Sequence, residues 1–125
     1  MIVFAVFLLS TLQEKSDALW GTWRWVRSSG GMLGIVREAA GDDVQTLTFT
    51  RDHVAIFKQN DSTIFLGNYH VYSGQTVFSS APQSLVRIQG MQRILIVRSV
   101  TRDSLFLKEN AFDGWERVYV RTHTP

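Results

Sequence analysis

The stretch Gly21-Thr22-Trp23-Arg24-Trp25-Val26-Arg27 constrains this chain more than any other. Its large apolar side chains alternate with polar ones, the period of a strand with one buried face. The glycine at its start lets another backbone or side chain come close, and the indole two residues on points to the same face. Runs of the same kind follow, separated by short turn signals, and the last of them is Trp115-Glu116-Arg117-Val118-Tyr119-Val120-Arg121. This layout predicts a small antiparallel sheet that closes on itself. The first strand then carries a tryptophan that plugs one end, and the last carries cations able to lie across it.

The expected strands are 22–28, 44–50, 53–59, 63–72, a weak run at 76–81, 85–88, 93–100, 104–109 and 115–121. Arg51-Asp52, Asn60-Asp61-Ser62, Gly90-Met91-Gln92 and Arg102-Asp103 supply turns between them. The fold class is therefore all-β, an antiparallel up-and-down barrel of about eight strands. A short helical turn capped by Ser16 or Asp17 precedes it and covers one end. The connection from Gly30 to Asp43 is long for a hairpin and rich in glycine, and is expected to be mobile and to border the open mouth. It is not a phosphate loop, because no Gly-Lys-Ser/Thr follows and no strand-to-helix switch surrounds it.

A chain of 125 residues makes one domain, here residues 19–125, and 45% hydrophobic residues suit a globular core. A net charge of +2, with arginines scattered one per strand, argues against a nucleic-acid partner. The absence of cysteine excludes disulfides, thiolate metal sites and a cysteine nucleophile. The segment 1–18 begins with Met-Ile-Val-Phe-Ala-Val-Phe-Leu-Leu, too short to span a bilayer as a helix, so no integral membrane span is expected. It is open to three readings: a secretory-signal-like segment, a buried N-terminal element, or an uncleaved anchor. The first of these makes the protein extracytoplasmic, periplasmic or secreted.

Nothing in the sequence has the spacing of a catalytic centre. His53, His70 and His123 have no metal-ligand spacing, and His70 alternates with Tyr69, so one of the two faces inward. No Gly-x-Ser-x-Gly elbow occurs, and Asp52, Asp61, Asp103 and Asp113 sit in turns, where they work as turn formers. The expectation is a non-enzymatic protein without cofactor or metal. Trp23, Arg117, Tyr119 and Arg121 form the most specific cluster, since Trp115, Arg117, Tyr119 and Arg121 share one strand face. The structural reading has a cation across Trp23 that bonds the carbonyls of the N-terminal turn. The functional reading is a site for a ligand anion.

Several strands are apolar on both faces. Val54 and Ile56 oppose Ala55 and Phe57, Ile64 and Leu66 oppose Phe65 and Tyr69, and Ile94 and Ile96 oppose Leu95 and Val97. A free barrel has one polar face per strand. The outer face is thus expected to be covered, by the N-terminal segment or by a second subunit in a homodimer.

The stretch from Trp20 to Arg121 resembles the compact bacterial lipocalin-like domains. The likeness rests on Gly21-Thr22-Trp23 followed by Arg24-Trp25-Val26 and Ser29-Gly30-Gly31, on Leu47-Thr48-Phe49-Thr50, on Gly67-Asn68-Tyr69-His70-Val71, and on Leu105-Phe106-Leu107 before an Asp-Gly turn and Tyr119-Val120-Arg121. The resemblance implies a small eight-stranded barrel that binds a small hydrophobic or amphipathic molecule in its interior. With the aromatic inner faces, it makes Trp25, Phe49, Phe57 and Tyr69 the candidate walls, with Arg27 or Arg98 as a polar contact near one end; Ile56 and Phe65 replace their neighbours if the opposite faces of the third and fourth strands point inward. Gly21, Trp23, Tyr119 and Arg121 are the candidates for barrel closure. The alternative is a structural or protein-interaction module whose barrel is filled by its own side chains.

Overall fold

The computed structural model describes residues 16–31 and 33–122. The signal-like reading of the N-terminal segment falls mainly on residues outside this range, as does His123. Nine strands form one antiparallel sheet: β1 (Gly21–Gly30), β2 (Ile35–Glu38), β3 (Gln45–Phe49), β4 (Val54–Gln59), β5 (Ser62–Gly74), β6 (Gln83–Ile88), β7 (Leu95–Val100), β8 (Ser104–Glu109) and β9 (Trp115–Arg121). They follow one another as a meander, and pairing of β1 with β9 closes the ring. Eight strands make the barrel, and β2 is the extra one. A helical turn at 16–18 precedes β1. No helix among the described residues is long and apolar enough to cross a membrane.

The extra strand has a simple origin. One edge of β1 pairs with β9 along nearly its whole length. On the other edge, Gly21 to Arg24 pair with β3, and Arg27 to Gly30 pair with β2. Thus β2 and β3 are two pieces of one strand, interrupted by the excursion at 39–44. The sequence reading left 35–38 in a loop, and the structure corrects it. All four residues of β2 are exposed, so burial gives them no alternating signal, and the ladder to β1 alone holds them.

The converse correction concerns Thr76 to Ala81, expected as a weak strand and found as a bend between β5 and β6. Thr76 Oγ1 accepts from the backbone N–H groups of Phe78 and Ser79 at 3.1 and 3.2 Å. Such local bonds compete with a ladder. Asn110 Oδ1 accepts from Val77 N–H at 2.9 Å, and Lys108 Nζ stands 4.5 Å from the Phe78 ring, so the bend lies across the outside of the barrel near β8.

Two bulges set which side chains point inward. In β1 the register against β9 skips Val26, so Trp25 and Ser28, three residues apart, are both buried while Arg27 is exposed. In β7 the register skips Arg98, which is exposed, while Leu95 and Val97 are buried. On β4 and β5 the inner set is Ala55, Phe57, Phe65 and Tyr69, and Leu66 and Ile64 point outward at 61% and 60% exposure. The outer apolar face is thus divided. Leu85 and Ile96 are buried beside the strand position of Lys108, on which Phe78 of the bend rests, whereas Ile64 and Leu66 meet solvent.

The core runs from Leu19 and Trp23 at one end, through Leu47, Phe49, Ala55, Tyr69, Val86, Ile88 and Leu105, to Trp25, Leu95, Leu107 and Tyr119. Gly67 marks the place where β5 crosses from β4 to β6. A Cβ there would collide with the Gln89 carbonyl, so only glycine permits the crossing. The β4–β5 hairpin turns on Asn60 and Asp61, with φ of 49° and 70°, the paired left-handed geometry that matches strand twist.

Candidate functional site at the open end

The two ends of the barrel differ, and the closed one engages its polar groups within the protein. Leu19 and Trp23 are fully buried there, and Trp23 Nε1–H donates to the Leu19 carbonyl at 2.9 Å. The Arg121 guanidinium lies over the Trp23 ring at 4.1 Å. Its Nη1 donates to the Trp20 carbonyl at 2.7 Å, its Nη2 to the Ala18 carbonyl at 3.0 Å, and its Nε to the Arg102 carbonyl at 2.7 Å. Gly21 has φ of +120°, and a Cβ on it would stand 2.6 Å from Arg121 Nη1. The glycine therefore makes room for the arginine, and the arginine ties the helical turn to the last strand. Tyr69 completes this end, donating to the Thr50 carbonyl at 2.7 Å with its ring edge-on to Phe49 at 5.0 Å.

At the other end, β1 finishes at Gly30 opposite Trp115, where β9 begins. A pocket of about 280 Å³ opens here, lined by Trp25, Ser28, Arg37, Gln45, Trp115 and Arg117. Each lining residue has a local reason to be there. The β1 bulge brings Trp25 and Ser28 to the inner face, and Trp25 Nε1–H donates to Ser28 Oγ at 2.6 Å. Trp115 and Arg117 alternate inward on β9, Arg117 opposite the buried Leu107. The backbone N–H of Trp115 donates to Glu109 Oε1 at 2.7 Å, which fixes the start of the strand. Arg37 comes from β2 and stands 5.7 Å from the Trp115 ring. Gln45 begins β3 and donates to Asp43 Oδ2 at 3.3 Å.

Beneath this pocket the space is narrow. The space left among Phe57, Met91, Leu95, Leu107, Glu109, Trp115, Arg117 and Tyr119 amounts to about 20 Å³. That is room for about one water molecule. Tyr119 sits at the base, 4% exposed. Burial pushes its phenol above the usual value, and the charge and hydrogen bond of neighbouring Arg117 pull the other way. Neither Arg37 nor Arg117 has a carboxylate within ion-pair distance among the described residues. The ion pairs there are Arg93 with Glu109 and Asp113, and Lys108 with Glu116.

Of the wall residues expected from sequence, Trp25 lines the open pocket and Phe57 the narrow space below it. Phe49 and Tyr69 belong to the core toward the closed end. Arg27 and Arg98 are exposed and off the inner face, Arg27 because the β1 bulge turns it outward and Arg98 because Leu95 and Val97 take the inner face of β7. Ser28, Arg37 and Gln45 were not singled out by sequence. Ser28 is hidden by the same bulge, and Arg37 by the unrecognised strand β2. Trp115 and Arg117 were visible as one face of the last strand. His70 is exposed and stacks on Tyr72 at 5.7 Å, with Tyr69 taking the inward position. Among the described residues no three His, Asp or Glu side chains converge as metal ligands would.

The arrangement offers two indole surfaces, two guanidiniums that meet no carboxylate among the described residues, a hydroxyl and an amide around one opening. Comparison with family models, with curated proteins and with solved structures finds no match to this chain.

Proposed function

We propose that this protein is a non-enzymatic, lipocalin-like binder of a small hydrophobic or amphipathic molecule, held at the open end of the barrel. The observation that carries the reading is the pocket itself. Its volume of about 280 Å³ is close to the ~300 Å³ at which small-molecule sites begin, and two indoles share its lining with one hydroxyl, one amide and two guanidiniums. The space directly below measures only about 20 Å³, so the ligand rests at the mouth against Trp115 and Trp25. Two large flat side chains around one opening give contact area at little cost in conformational entropy.

The experiment is a calorimetric screen of medium-chain fatty acids, retinoids and naphthalene derivatives against the wild type and Trp115→Ala. The reading predicts saturable one-to-one binding by at least one class and a loss of at least tenfold in the variant. Absence of saturable binding throughout, or equal binding by the variant, would overturn it.

A further inference from the structure

Resting on the mouth reading, we infer that the ligand carries a carboxylate on a small flat apolar body, with the carboxylate held between Arg37 and Arg117. Hydrogen-bond donors outnumber acceptors at this mouth. Arg37 and Arg117 line one opening and have no carboxylate partner among the described residues. Ser28 Oγ already accepts the Trp25 indole N–H, so its own hydroxyl hydrogen is left to donate into the pocket. The acids nearby are engaged. Glu109 accepts the Trp115 backbone N–H and stands 3.8 Å from Arg93, and Asp43 accepts from the amides of Gln45 and Gln59 at 3.3 and 3.1 Å.

With two guanidiniums, of which Arg117 also bonds the Tyr119 phenol, one hydroxyl hydrogen and one amide oxygen, the site has more donors than acceptors, so its complement is an anion. Arginine in particular matches a planar carboxylate through two parallel hydrogen bonds. The Arg37 cation stands 5.7 Å from the Trp115 ring, and the two indoles in the lining supply flat apolar surface for the body of the ligand. Two like charges around one mouth repel each other, and an anion between them relieves that repulsion while its own charge is neutralised.

The test uses three probes on the full chain: 2-naphthoate, 2-naphthalenemethanol and inorganic phosphate alone. Affinities are measured by calorimetry for the wild type, Arg37→Gln and Arg117→Gln. Arg37 is exposed, so its variant keeps the fold even if the more enclosed Arg117 variant does not. The naphthoate is expected to bind at least tenfold more tightly than the alcohol. Each variant should lose about that factor for the naphthoate and stay within about twofold for the alcohol. Equal affinity for naphthoate and alcohol overturns the carboxylate assignment and leaves the mouth reading standing. Binding by neither overturns the flat body with its carboxylate, and the mouth reading is then decided by the wider screen. A preference for naphthoate that survives Arg37→Gln overturns the assignment to this arginine pair. Phosphate binding as tight as naphthoate overturns the flat apolar body as part of the recognised ligand.

Discussion

At the closed end an arginine lies over a tryptophan and donates from all three of its nitrogens to backbone carbonyls. At the open end two arginines flank two tryptophans, and neither guanidinium meets a carboxylate among the described residues. Arg117 and Arg121 even share one face of one strand. The same residue types thus serve as fastener at one end and as unfilled recognition surface at the other. What separates them is hydrogen-bond completion. A charge removed from water is tolerated where fixed acceptors replace the water, and one left partly hydrated is free to take a ligand.

The comparison is tested most severely by its tryptophans. Trp23→Ala removes a fully buried indole and should cost about 3–5 kcal/mol in denaturant unfolding. Trp115→Ala at the mouth should cost no more than about 1.5 kcal/mol, since the side chain is only half-buried. Equal costs would erase the distinction between the ends.

The arginines sharpen it. Arg121→Met leaves the carbonyls of Ala18, Trp20 and Arg102 without their donor, and a loss of about 2–3 kcal/mol is expected. Arg117→Met removes a cation that has no counter-ion and should change stability by less than about 1 kcal/mol. A large loss for the second variant would make Arg117 a fastener as well. Gly21→Ala falls between these, at about 1–3 kcal/mol, because φ of +120° strains any other residue and the new methyl displaces Arg121.

How much of this was legible follows from the same physics. Gly21-x-Trp23 and the face shared by Tyr119 and Arg121 announced a plugged end, because a close approach, a buried indole and a cation each leave a fixed residue type at a fixed alternation. The barrel was legible for the same reason, with nearly every strand flanked by turn residues. The mouth was not. The β1 bulge moved Ser28 inward and Arg27 outward, the interrupted strand brought Arg37 to the pocket, and on β7, apolar on both faces, Leu95 and Val97 took the inner side and left Arg98 outside. A bulge shifts every later residue by one face, and it is fixed by pairing between strands far apart in sequence. Thr76 to Ala81 failed for a local reason: the hydroxyl of Thr76 satisfies backbone groups that a strand would have needed.

The smallest expected effect is in pH. Tyr119 is buried and its phenol is raised above its unfolded value, chiefly by desolvation and despite Arg117. Tyr69 is raised as well, chiefly by burial, with the Trp20 contact opposing and the charge of Asp17 adding to it. A raised folded value means that the unfolded chain releases the proton first. The associated stability is therefore complete below about pH 10 and is lost as pH climbs through the folded values. Denaturant midpoints between pH 8 and pH 11 should fall toward the alkaline end, and Tyr119→Phe should make that fall shallower. A fall unchanged in Tyr119→Phe would assign it elsewhere.

The most direct test of the division between the ends is a spectrum of the indole N–H groups, because the chain has four tryptophans, two at each end. In a nitrogen–proton correlation experiment on the labelled protein, titration with 2-naphthoate should move the Trp25 and Trp115 signals along a saturating curve. The Trp20 and Trp23 signals, at the fastened end, should stay where they are. Saturable movement of Trp23 with Trp115 unmoved would place binding at the closed end and contradict the account.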